Sequence, residues 1–126
     1  RLVAHLREGG RRPEWLLVKT GERSRFVRLR DVDFVEAARN GVTLHLGGES
    51  YPFRSTMNAL EDSLDPERFL RIHRSTIVNV ERVKELESWF NGEYRVILKD
   101  GRILTLSPTY RASLARFRSL PAERER

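Results

Sequence analysis

From Trp15 onward the chain is cut into short pieces. "WLLVKT", "RFVRLR", "DFVEAA", "VTLHL" and "SYPFR" are followed, after a gap, by "RFLRIH", "TIVNV", "RVKELES", "YRVILK" and "RILTL". Between them stand Gly21, "RNG" at residues 39–41, Gly47 with Gly48, "FNGE" at residues 90–93 and "KDG" at residues 99–101. Apolar residues within the pieces recur at every second position or fill short runs, which is the strand pattern, and the separators are turn formers. A parallel sheet needs a crossover of roughly a dozen residues or more between strands, usually helical, and the spacing leaves no room for a series of them. The spacing therefore predicts up to ten short strands in antiparallel sheets. Asn40-Gly41 is the best hairpin-turn signal of the first half, because both positions tolerate positive φ.

Two short helices complete a mainly β domain. Ser55 offers an N-cap for "TMNALEDSL", in which Met57, Leu60 and Leu64 fall on one helical face before Asp65-Pro66 stops the run. Ser107 followed by Pro108 starts a C-terminal helix with an apolar stripe of Tyr110, Leu114 and Phe117. Residues 1–13 read as a helical linker that stops at Gly9, Gly10 and Pro13, residues 14–120 as the domain, and residues 121–126 as a frayed tail. The chain begins with Arg1 rather than methionine, so a further domain upstream is expected.

Lys and Arg number 24 against 18 Asp and Glu, which gives a net charge of +6 and favours polyanionic or anionic-membrane partners. Most of the excess is arginine, which suits bidentate recognition of phosphate or guanine, although a GC-rich coding sequence produces the same bias. Without cysteine there is no disulfide, no Cys-ligated zinc and no thiol nucleophile. No apolar run approaches the roughly 20 residues of a membrane-spanning helix, and a cytoplasmic setting is the default expectation. The histidines His5, His45 and His73 occur in no metal-ligating or triad-like spacing, so no metal, cofactor or enzymatic activity is expected. A small basic β domain could also bind RNA or protein, but the aromatics fall mostly in core phase rather than on a stacking face.

"RIHRSTIVNV", residues 71–80, places polar side chains inside the most β-prone segment of the chain. Alternation puts Leu70 and Ile72 on one face and Phe69, Arg71 and His73 on the other, with Arg74-Ser75 at a bend. Two readings stand on local pattern alone. His73 and Ser75 satisfy backbone groups while Arg74 lies on the surface, or the bend presents donors to phosphates and base edges. Asn79 fits a residue that ties strands together through its side chain. Trp15 reads as core or as packing beneath the linker. "WFNG" at residues 89–92 reads as a packed hairpin loop, since a duplex offers no free base faces for stacking.

The segment spanning residues 68–107 closely resembles the LytTR family of DNA-binding domains, found in bacterial response regulators of the LytR/AlgR type. The hallmark F-x-R-x-H-R-S-x-x-V-N is matched by Phe69, Arg71, His73, Arg74, Ser75, Val78 and Asn79. The resemblance extends from about Phe26 to about Phe117. It implies small antiparallel sheets stacked in an elongated β fold, with loops rather than a recognition helix entering the major groove. It further implies base contacts from Arg39 and Asn40, from Arg74, and from a pair just after the last strand. Ser75 and Ser107 match positions that hold the DNA backbone, with help from Arg71. Where the family commonly has Ser-Arg-Arg-Tyr, this chain has Ser107-Pro108-Thr109-Tyr110. Thr109 is then the expected base contact, touching a thymine methyl or donating to phosphate, and Arg111, Arg102 or Lys99 would supply the lost charge. The implied partners are double-stranded DNA, bound as direct repeats by pairs of domains, and an upstream receiver or sensor domain.

Overall fold

The computed structural model describes residues 12–118 of the 126. The expected linker helix, apart from Arg12 and Pro13, and the expected tail at residues 121–126 lie outside the described residues. Pro13 is buried, and Arg12 Nη1 donates to the Asp62 carbonyl at 2.6 Å, so these two residues contact the folded body.

The strands are β1 (Trp15–Thr20), β2 (Arg23–Arg28), β3 (Phe34–Ala38), β4 (Gly41–Leu46), β5 (Glu49–Phe53), β6 (Phe69–His73), β7 (Thr76–Asn79), β8 (Val83–Ser88), β9 (Tyr94–Leu98) and β10 (Ile103–Leu106). The helices are α1 (Met57–Ser63) and α2 (Ala112–Arg118), and single 3-10 turns occur at Leu29–Asp31, Val80–Arg82, Phe90–Gly92 and Pro108–Tyr110. All pairings are antiparallel, in sheets ordered β1-β2, β5-β4-β3-β7-β6 and β10-β9-β8. This is the mainly β class that the spacing predicts.

Adjacent residues of the central strands point into different cores. Val35 and Ile77 join Leu16, Val18, Val27, Val42, Leu44, Met57 and Leu60 in one, whereas Phe34, Ile72 and Val78 join Val96, Leu98, Leu106 and Leu114 in the other. The five-stranded sheet is therefore covered on both faces, by β1, β2 and α1 on one side and by β8, β9, β10 and α2 on the other. A sheet buried on both faces needs apolar residues at consecutive positions, which is why "TIV" is continuous.

Several local expectations are corrected. Thr56, not Ser55, caps α1: its Oγ1 accepts from Ala59 N–H at 3.0 Å, while Ser55 Oγ donates to the Thr56 carbonyl at 2.8 Å. The helix starts at Met57, so only Thr56 is placed to reach the N–H of the third helical residue. In the β3–β4 hairpin, Ala38 pairs with Gly41, and the positive φ falls on Gly41 (142°) rather than on Asn40. Ser107 caps the 3-10 turn rather than a continuous helix, its Oγ accepting from Thr109 N–H at 3.2 Å. Trp15 is half-buried and belongs to neither core; it meets the exposed Phe26 edge-on, with the Arg28 guanidinium 4.4 Å from its ring centre, and the linker expected above it lies outside the described residues.

Candidate nucleic-acid interface

The turns that the sequence singles out converge at one end of the stacked sheets, held by the main chain. Strand β3 pairs with β7 so that Ala37 N–H donates to the Ser75 carbonyl at 2.9 Å, bringing the turn of Arg39 and Asn40 beside that of Arg74 and Ser75. On the other flank, Ser107 N–H donates to the Ile72 carbonyl at 2.8 Å, which docks the segment after β10 against the end of β6. A register shift between Arg71 and His73 puts one extra residue, Ile72, into β6 and drives its side chain into the second core.

Arg71 sits at the junction of these pieces and is buried. Its Nε donates to the His73 carbonyl at 2.8 Å, and Nη2 donates to the Arg74 carbonyl at 2.5 Å. Nη1 donates to Asn58 Oδ1 at 3.1 Å and to Glu61 Oε1 at 2.8 Å, anchoring α1. The guanidinium carbon lies 5.4 Å from the ring centre of Tyr110, and the Arg71 carbonyl accepts from Ser113 Oγ at 2.6 Å. One planar fork thus joins the 73–74 backbone, α1 and the post-β10 segment, a task that a lysine's single ammonium cannot perform.

The turn itself is locked from within. His73 Nδ1 accepts from Ser75 N–H at 3.1 Å, which places the ring proton on Nε2, and Ser75 Oγ lies 2.9 Å from the same nitrogen. Arg74 is left as the exposed tip. Asn79, fully buried, donates from Nδ2 to the Val32 carbonyl at 2.8 Å and accepts from Glu81 N–H at 3.0 Å, so it ties β7 to the segments beside it.

The same end carries free positive charge. Arg39, Arg54, Arg74 and Arg111 are exposed, and among the described residues none of their guanidiniums has a hydrogen-bond or ion-pair partner. Arg54 had no motif to mark it. It is brought in by Gly41, where an added Cβ would lie 2.5 Å from the Phe53 carbonyl oxygen and 3.3 Å from Arg54 Cα. A glycine there lets the end of β5 lie against the β3–β4 turn. Thr109 is exposed in the 3-10 turn beside Arg111, and Ser107, partly buried, spends its hydroxyl lone pair on the cap.

Lys99 is not part of this cluster. It lies in the β9–β10 turn, at the opposite end of β9 from the post-β10 segment, with its N–H bonded to the Arg82 carbonyl at 2.8 Å. Arg102, the other proposed source of charge, is spent at that end. It bonds Asp33 Oδ2 at 2.5 Å and Asp100 Oδ2 at 2.6 Å, and this contact holds the Asp100 carboxyl below the usual aspartate range. Arg82 also faces Asp33, at 3.3 Å.

His45 stacks on Phe34, with Nε2 2.9 Å from Glu36 Oε1 and Nδ1 3.3 Å from Ser50 Oγ, while His73 Nδ1 is taken up by the N–H and hydroxyl of Ser75. Among the described residues no group of three or more His, Asp and Glu could hold a metal ion, and no helix is long and apolar enough to cross a membrane.

Comparison with known proteins agrees with this frame. A solved LytTr DNA-binding domain from Bacillus cereus superposes with a TM-score of 0.76 over 85% of this chain and 98% of its own, at 20% identity, which shows a shared fold. The sensory transduction protein LytT of Bacillus subtilis is 33% identical over 99 residues, 79% of this chain and 41% of the relative. The transcriptional regulatory protein LytR of Staphylococcus aureus is 43% identical over 63 residues, 49% of this chain and 26% of the relative. The matched stretches thus cover only part of these relatives, and the chain spans about half their length. The family model described as the LytTr DNA-binding domain matches residues 22–118, and with the hallmark residues set on the β6–β7 hairpin as described, the chain belongs to the LytTr DNA-binding domain family.

Proposed function

We propose that this domain binds double-stranded DNA sequence-specifically, as the effector part of a transcriptional regulator, with loops from one end of the β stack facing the duplex. The observation that carries the reading is the set of four exposed, unpaired arginines, Arg39, Arg54, Arg74 and Arg111, on turns joined by main-chain hydrogen bonds. Pre-positioned guanidiniums lose little freedom on meeting phosphate oxygens or a guanine edge. Arg74, with Arg39 and Asn40, takes the base-reading role, and Thr109 touches the third position. Ser75, Ser107 and Arg111 hold the sugar–phosphate backbone, joined by Arg54. Arg71 acts as a positioning residue in place of the phosphate contact first expected of it, because its nitrogens are already spent. Lys99 has no part in the interface.

Catalysis is no part of this role, and a cytoplasmic setting suits a regulator that meets DNA. Relatives named as sensory transduction proteins are more than twice as long as the stretch they share with this chain, and an upstream receiver or sensor domain that pairs two such modules on direct repeats fits that surplus. Selection of bound duplexes from a random pool at about 150 mM salt, where the Debye length is about 8 Å, tests the reading. Enrichment of a short motif, in spaced repeats where pairs bind, is the expected result. An unenriched pool would leave only non-specific attraction to a basic surface.

A further inference from the structure

We infer that the β8–β9 turn is an additional DNA-facing element, in which Phe90 makes an apolar contact with a thymine methyl at the outer edge of the bound site. The inference rests on the DNA-binding reading above. The sequence predicts a packed loop here, yet Trp89 is 42% and Phe90 69% exposed. Trp89 is held from two sides: the Arg95 guanidinium lies 4.3 Å from its ring centre, and Phe90 meets it edge-on at 5.0 Å. Phe90 is the more exposed of the two rings.

Backbone geometry projects this aromatic outward. Asn91 (φ 55°) and Gly92 (φ 80°) both occupy the left-handed region, and Trp89 N–H and Glu93 N–H close the turn on the Glu93 and Phe90 carbonyls at 2.9 and 3.0 Å. Such a turn is rigid without help from its side chains. With the half-exposed Trp89 edge-on to it, the ring of Phe90 forms a small aromatic patch at the tip of the turn.

Contiguity with the arginine cluster points to DNA as the partner of this patch. A Cβ on Gly92 would lie 2.9 Å from Arg111 Nη2 and 3.6 Å from Pro108 Cγ, so the turn rests directly against the segment in which Pro108 and Thr109 replace the family's arginine pair. The residues Phe90, Asn91 and Gly92 bear no charge, so an ion pair with phosphate is excluded, and the exposed ring of Phe90 is the apolar surface the turn presents. Phenylalanine is among the side chains that pack on the thymine methyl in the major groove. With Pro108-Thr109 in place of an arginine pair and an aromatic exposed beside them, recognition at this flank turns toward a thymine methyl.

The test uses the full chain and the motif that it selects from random duplexes. Replacing the outermost thymine with deoxyuridine, which lacks only the methyl, should weaken the parent by about 3- to 10-fold, the order expected for one buried methyl with its packing. Phe90→Ser should bind the thymine site weaker by a similar factor and respond less than about 2-fold to the deoxyuridine change, with an unaltered melting temperature because the ring is exposed. Equal affinity and equal uracil response in parent and Phe90→Ser would overturn the inference while leaving the DNA reading intact. A loss in Phe90→Ser without any uracil response would overturn the methyl contact. A parent that enriches no motif would overturn the DNA reading, and the inference with it.

Discussion

Arg71 Nη2 donates to the carbonyl of Arg74 at 2.5 Å, so a buried arginine fixes the backbone that carries an exposed one. The two have opposite mutational signatures. Arg71→Met should cost about 2 to 4 kcal/mol of stability, since it strips the His73 and Arg74 carbonyls and Glu61 of charged donors in a largely buried setting. Arg74→Ala should change stability by less than about 0.5 kcal/mol, yet cost about 1 to 3 kcal/mol of specific DNA affinity and flatten preference at one base. Thermal melting beside binding titrations separates them; a stable Arg71→Met variant would remove the positioning role.

Thr109→Arg should restore a cation beside Arg111 at the post-β10 turn. The expected outcome is tighter binding, a salt dependence steeper by about one decade of affinity per decade of salt, and a selected motif that gains guanine at one flank. Repeating the duplex selection on this variant reads all three, and an unchanged motif would show that the turn does not reach a base.

Arg54→Gln should lower the slope of log affinity against log salt by about 0.9, the release of one phosphate's counterion. Lys99→Gln, which removes the same charge from the opposite end, should leave the slope nearly unchanged. Equal slopes for the two variants would mean that net charge, rather than position, sets the attraction.

Gly41→Ala should destabilise the domain by about 1 to 3 kcal/mol, because φ is 142° and the new Cβ would fall 2.5 Å from the Phe53 oxygen. Pushing β5 away also displaces Arg54, so DNA affinity should fall further than in Arg54→Gln alone. Chemical denaturation and the salt titration give the two readouts.

Strand number, antiparallel pairing and the two small helices were legible because period and punctuation are local properties. Burial of Arg71 was not. Alternation sets it on a face with Phe69 and His73, but that α1 and Tyr110 close over this face depends on contacts distant in sequence. The Asn-Gly signal had its positive φ pair at Asn91 and Gly92 rather than at Asn40 and Gly41, since the second turn had to admit β5. Lys99 shows a different limit: a turn residue's charge is visible in sequence, whereas the end of the stack on which it lies follows only from counting strand reversals. Arg54 went unnoticed because nothing local distinguishes it from other surface arginines.

The hydrogen bonds that hold the turns together, Ala37 to Ser75 and Ser107 to Ile72, run between main-chain atoms. Every residue type except a donor proline offers the same atoms, so the frame does not register which side chains its tips display. Substitution at residues 39, 54, 74 and 109 should cost little in folding, whereas Gly41, Arg71 and Asn79 hold the frame through their own side-chain or backbone demands. A lineage can thereby exchange one operator for another on an unaltered scaffold, and a neighbour with only 20% identity can still superpose along nearly its whole length.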